Sequence, residues 1–143
     1  MKRSSKIVSL GLVSLAALLV ASGCAKAHKS DSAVLQGTWK GQEAVGNATG
    51  VASLVLSGTN LELQGADPRE WYKATFTLLE DKNPKQMLVT ITACPNPQYV
   101  GKTACAIYQI QDGALTIAAR APGNTNVPTR FDEPDLRKIV FRQ

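Results

Sequence analysis

The feature that most constrains this chain is an alternation with a period of two. Across 71–79, Tyr72, Ala74, Phe76 and Leu78 alternate with Lys73, Thr75 and Thr77. Across 86–93, Met87, Val89, Ile91 and Ala93 alternate with Leu88, Thr90 and Thr92, and later Leu115, Ile117 and Ala119 stand against Thr116, Ala118 and Arg120. Successive side chains of a strand point to opposite faces, so such runs bury one face and wet the other, as antiparallel sheets do. No stretch after Leu35 carries a helical period of useful length. Eight strands are predicted: Gly37–Val45, Val51–Leu56, Leu61–Gln64, Trp71–Leu79, Gln86–Ala93, Thr103–Ile110, Ala114–Arg120 and Arg137–Phe141. The connectors carry turn chemistry. Asp112-Gly113 is a two-residue hairpin signal, and Gly58-Thr59-Asn60 suits another tight turn. Asn83-Pro84-Lys85 and Cys94-Pro95-Asn96-Pro97 interrupt ladders, because proline has no N–H to donate. Eight consecutive strands joined by short turns either stack as a sandwich or close into a barrel, and closure removes exposed edges. The predicted fold is therefore all-β, an eight-stranded antiparallel up-and-down barrel forming one domain over 35–143.

The N-terminus reads differently. Met1-Lys2-Arg3-Ser4-Ser5-Lys6 is basic and free of acid, and Ile7 to Val20 carries no charge. A spanning helix needs about 20 apolar residues, so this shorter run describes an export signal that is later removed. It ends in "ASGC", residues 21–24. That ending resembles the lipobox of bacterial lipoprotein precursors, with Ala21 where leucine is usual. The resemblance implies cleavage after a signal peptide of residues 1–23 and acylation of Cys24 by palmitate-type chains. Residues 24–34 are then a lipidated cysteine and a flexible tether. The alternative is an ordinary secretory cut near Ala21 or Gly23 that leaves Cys24 a free thiol. Ala25, where an aspartate would favour retention in the inner membrane, implies an outer-membrane lipoprotein facing the periplasm.

Processing changes the charge. The precursor is +5; without Lys2, Arg3 and Lys6, 13 of its 16 basic residues face 11 acidic ones, giving +2. The basic residues are scattered, which argues against nucleic acid as a partner. Of three cysteines, Cys24 takes the lipid, which leaves Cys94 and Cys105 as a predicted disulfide in an oxidising compartment. Facing cysteines in an antiparallel pair make opposed position numbers sum to 199, so Ile91 would meet Tyr108 and Val89 would meet Ile110. Both cysteines would then point outward. The only histidine, His28, lies in the tether, so no metal site or histidine-dependent catalytic group is expected in the domain.

"LQGTWK", residues 35–40, resembles the Gly-x-Trp opening of lipocalin-like barrels, which implies that Trp39 plugs one end. With "NPKQMLVTI" (83–91), "AIYQIQDGALTIAARAPG" (106–123) and "VPTRF" (127–131), it resembles small extracytoplasmic lipocalin-like lipoprotein domains of planctomycetes and related bacteria. The resemblance covers Leu35 to Gln143. It implies fold and exported location and carries over no catalytic residue, since fold does not imply function.

No enzyme is read from this chain, and no cofactor. Glu43 is the one acid that the strand phase turns inward, and it has no evident partner. Asp132, Glu133 and Asp135 lack the spacing of a calcium loop. The reading is a non-catalytic binding module, monomeric, attached to the membrane through Cys24. An eight-stranded barrel is either filled by its own side chains or holds one small ligand. Trp39, Tyr72, Phe76, Met87, Ile91, Tyr108, Ile117 and Phe141 are the candidate lining of a site for a small apolar ligand. The alternative is an envelope-protein partner, such as an exported protease or lysozyme to be inhibited, engaged through the sixteen-residue connection 121–136.

Overall fold

A computed structural model of the chain describes residues 27–45 and 48–143. The predicted signal peptide and the expected lipidation at Cys24 lie outside the described residues. A short helix, α1 (Asp31–Val34), precedes eight strands: β1 (Gly37–Val45), β2 (Ala48–Ser57), β3 (Asn60–Gln64), β4 (Trp71–Leu79), β5 (Lys85–Ala93), β6 (Thr103–Gln111), β7 (Ala114–Ala119) and β8 (Arg137–Arg142). Each strand pairs antiparallel with its sequence neighbours, and β8 returns to β1, closing the predicted up-and-down barrel.

Local chemistry accounts for the hairpins. Asp112 (φ 52°) and Gly113 (φ 73°) both take positive φ between β6 and β7, the backbone that a two-residue type I′ turn requires. Alternation accounts for the core. Leu54, Leu56, Leu61, Phe76, Met87, Ile91, Tyr108, Leu115, Ile139 and Phe141 are buried in one cluster inside the wall. Closure rests on a short seam, in which Lys40, Gly41 and Gln42 face Arg142, Phe141 and Val140. A side chain at Gly41 would place its Cβ 2.6 Å from the Val140 carbonyl oxygen, so only glycine lets β8 come this close.

One end of the barrel is sealed by a segment expected to belong to the tether. Ser30 Oγ accepts from the Ala33 N–H at 3.3 Å and caps α1, while Leu35 is fully buried. Trp39 Nε1 donates to the Leu35 carbonyl at 2.8 Å, which joins the helix end to the core and agrees with a plugging tryptophan.

The predicted β5–β6 register and disulfide are corrected. Leu88 faces Cys105 and Val89 faces Ala104, so opposed numbers sum to 193. Tyr108 faces Lys85, and neither Ile91–Tyr108 nor Val89–Ile110 forms. The connection is tighter than the cysteine spacing suggested. The Gly101 N–H donates to the Ile91 carbonyl and the Ile91 N–H to Lys102, around a 3-10 turn at Pro97–Tyr99. Cys94 and Cys105 are free thiols. Cys94 lies six residues along β5 from the partner of Cys105, roughly 20 Å at about 3.3 Å per residue, where a disulfide needs about 4.4–6.8 Å between Cα atoms. A bulge adds to the separation: Ala74 pairs with Ile91 and Lys73 with Ala93, leaving Thr92 as an extra residue. An extra residue reverses which face the following side chains take. Cys94 accordingly packs against the core cluster, while Cys105 points out of the wall.

This register predicts that Leu88→Cys will cross-link to Cys105 under mild oxidation, seen as a loss of two free thiols and a mass lower by two hydrogens. A disulfide between Cys94 and Cys105 in the parent protein, mapped by peptide mass, would overturn the register.

Candidate functional site

The interior is filled at its sealed end and hollow at the other. Near α1, Trp39, Phe76 and Tyr108 are buried in the core cluster, and none of the three lines the cavity. Towards the far end lies an apolar cavity of about 110 Å³. Of the eight residues expected to line a ligand site, Tyr72, Met87, Ile91, Ile117 and Phe141 line it; Trp39, Phe76 and Tyr108 do not. Ala104, Ala106, Ala119, Pro122 and Arg137 also line it and were not anticipated. The hollow follows from the corrected register. Val89 meets Ala104, where the expected pairing put Ile110, and Met87 meets Ala106, so two small side chains face this stretch of β5.

A buried charge governs each end. At the sealed end Asp31 is only 5% exposed. Lys85 Nζ lies 2.6 Å from its Oδ2, and the Tyr108 hydroxyl donates to the same oxygen at 2.8 Å. Burial works to raise the Asp31 pKa, but the hydrogen bonds from Lys85 and Tyr108 and the lysine charge outweigh it and hold the carboxyl below its ordinary 3.8. Tyr108 is pushed up by its own burial and by the carboxylate it serves. Sequence reasoning assigned Asp31 to a solvated tether; its partners lie 54 and 77 residues away, beyond any local pattern.

At the open end Arg137 opens β8 between two carboxylates. Its Nε lies 2.6 Å from Glu43 Oε1 and its Nη1 lies 2.6 Å from Glu70 Oε1. The strand phase correctly turned Glu43 inward, and Arg137 is the partner it lacked. The Ala66 N–H donates to Glu43 Oε2 at 3.2 Å, and the Tyr72 hydroxyl donates to Glu70 Oε1 at 3.2 Å. Burial raises the Glu43 pKa, yet the Arg137 and Ala66 hydrogen bonds and the arginine charge bring it below 4.5. Arg137 Nη2 is buried without a hydrogen-bond partner among the described residues.

The 121–136 connection is held down by its own residues. Its first turn continues the β6 ladder, with the Arg120 N–H donating to Cys105 and the Gly123 N–H to Thr103. Glu133 pairs with Arg120 and accepts from the Thr129 and Arg130 N–H groups and the Thr129 hydroxyl, which hold its carboxyl at about 2. Pro128 is fully buried, and so are Ile107 and Ala118 on the outward side of β6 and β7. Among the described residues no cluster of three His, Cys, Asp or Glu side chains is placed to hold a metal ion.

Because Asp31 and Glu43 have folded pKa values below their unfolded ones, the stability they supply is present above the ordinary carboxylate range. It is lost as pH falls through the folded values. The chemical-denaturation midpoint is therefore expected to fall as pH drops below about 4. Asp31→Asn should lower stability at neutral pH by about 1–3 kcal/mol by weakening the Lys85 and Tyr108 bonds, and should flatten part of the acid limb. An acid limb unchanged in Asp31→Asn would contradict this assignment. No protein-family model matches this chain, and it finds no match among curated proteins or solved structures.

Proposed function

We propose that this chain is a membrane-anchored lipoprotein of the cell envelope whose barrel binds a small apolar ligand without catalysis. The observation that carries the binding reading is the apolar cavity at the end of the barrel remote from α1. Apolar pockets with few polar groups are the usual form of small-molecule sites. The size limits the guest. An engineered cavity of about 150 Å³ holds benzene, so about 110 Å³ suits a body of one small ring or a short branched hydrocarbon.

The anchor reading rests on the signal segment ending at Cys24, with the outer membrane as the destination favoured by Ala25. A surface feature supports a place beside anionic lipid. On the outside of β1, β2 and β8, Lys40, Lys138 and Arg142 flank the exposed Val51 and Val140. None of these three cations is ion-paired among the described residues. Mixed basic and apolar surface is attracted to acidic headgroups. The pinning of the 121–136 connection by Glu133 and Pro128 favours a structural closure over a docking loop, and so favours a ligand over a protein partner.

Ala104→Leu, which extends a side chain from the lining into the void, should abolish binding of small aromatic probes such as toluene while leaving thermal stability equal or higher. Toluene bound as well by Ala104→Leu as by the parent would sink the cavity reading. Cys24→Ala should leave the chain uncleaved or release it from washed membranes; an unchanged lipidated membrane fraction would sink the anchor.

A further inference from the structure

We infer that the cavity takes uncharged ligands and rejects carboxylates, although an arginine stands at its mouth. The inference rests on the ligand-binding reading above and names the chemical class. An arginine at the rim of an apolar barrel invites the idea of a fatty-acid-like guest with its carboxylate on the guanidinium. The geometry of Arg137 argues the opposite. Its Nε is committed to Glu43 and its Nη1 to Glu70, both at 2.6 Å. Its remaining nitrogen, Nη2, is buried with no partner among the described residues, and a Cβ on Gly65 would sit only 3.2 Å from it, so the backbone there closes over this nitrogen. Arg137 lines the cavity, but two of its nitrogens are committed to carboxylates and the third is covered, so it presents no open fork to a guest carboxylate.

The other polar groups of the rim are spent in the same way. The Tyr72 hydroxyl donates to Glu70 and the Ala66 N–H to Glu43. One cation between two carboxylates leaves the cluster at −1, next to a lining made by Ile91, Ala104, Ala119 and Pro122. A guest carboxylate entering here would lose its water, gain no donor and meet a negative rim. Burying an unpaired charge in apolar surroundings is far costlier than burying a neutral group of the same shape. A neutral hydrocarbon guest meets none of these penalties. Arg137 therefore serves as a strut that neutralises Glu43 and Glu70, and the pair of glutamates sets the specificity.

The test uses two probes of one shape, toluene and benzoate, titrated at neutral pH into the purified protein by calorimetry and ligand-observed NMR. Toluene is expected to bind saturably and benzoate at least about tenfold more weakly, given the cost of burying an unpaired charge. Glu70→Gln neutralises the rim and weakens the hold on Arg137 Nη1. It should raise benzoate affinity several-fold relative to toluene affinity, so the ratio of the two affinities is the readout. Glu70 is partly exposed, so the exchange is mild, and the parent comparison stands without it. Benzoate binding as tightly as toluene would overturn the inference while leaving a ligand-binding barrel. Neither probe binding would overturn the ligand-binding reading, and the specificity with it.

Discussion

The whole fold depends on β8 reaching β1. Seven hairpin-type pairings can form from neighbours in sequence, but the eighth joins residues about a hundred positions apart, and only three residue pairs make it. Without it β1 and β8 would be open edges with unpaired N–H and C=O groups, the usual template for aggregation. Gly41 is what permits the approach, since any side chain there would collide with Val140, Ile139 and Phe141 of the incoming strand. Closure also gives the alternation its meaning: once the sheet has an inside, every second residue becomes core. An apolar hollow within the wall is possible only because that inside exists.

The two ends of the barrel handle buried charge differently. Asp31 is served entirely by donors, Lys85 and the Tyr108 hydroxyl, which lock α1 into place and fill the space behind it. Arg137 is instead shared between Glu43 and Glu70, a cluster that braces β1, β8 and the 65–70 turn around an opening without occupying it. Charges taken out of water must be paired and hydrogen-bonded to be tolerated. Here the pairing geometry decides which end is a plug and which is a rim. The same scaffold thus combines rigidity near α1 with a vacancy at the far end.

How much of this was legible in the sequence follows from the range of each interaction. The strands, the inward face of each as far as the bulge, and the Asp112-Gly113 turn depend on period and on turn residues, which are local, and they stand as read; past the bulge Cys94 turns inward instead of outward. The β5–β6 register depends on a bulge at Thr92 and on a compact turn, which no alternation reveals. Two cysteines in a chain read as exported suggested a different pairing. The slip of six residues is even, so it kept Ala104, Ala106 and Tyr108 facing inward while misplacing their partners. That is why the core residues came out correctly and the hollow did not: the void is a property of which large side chain faces which alanine. Asp31 and Arg137 were hidden for a related reason. A buried charge is recognised by its partners, and those of Asp31 and Glu43 lie 54 to 94 residues away.

The position of α1 has a directional consequence. Six residues, Ala25 to Ser30, separate Cys24 from the plug, and six residues reach at most about 20 Å. The attachment proposed at Cys24 would therefore join the chain to the membrane at the plugged end of the barrel, with the rim at the other end. A guest would reach the cavity through the end remote from the attachment point. Anchor and opening would then belong to opposite ends of one barrel, so a change in the tether could alter where the chain sits without altering what the rim admits.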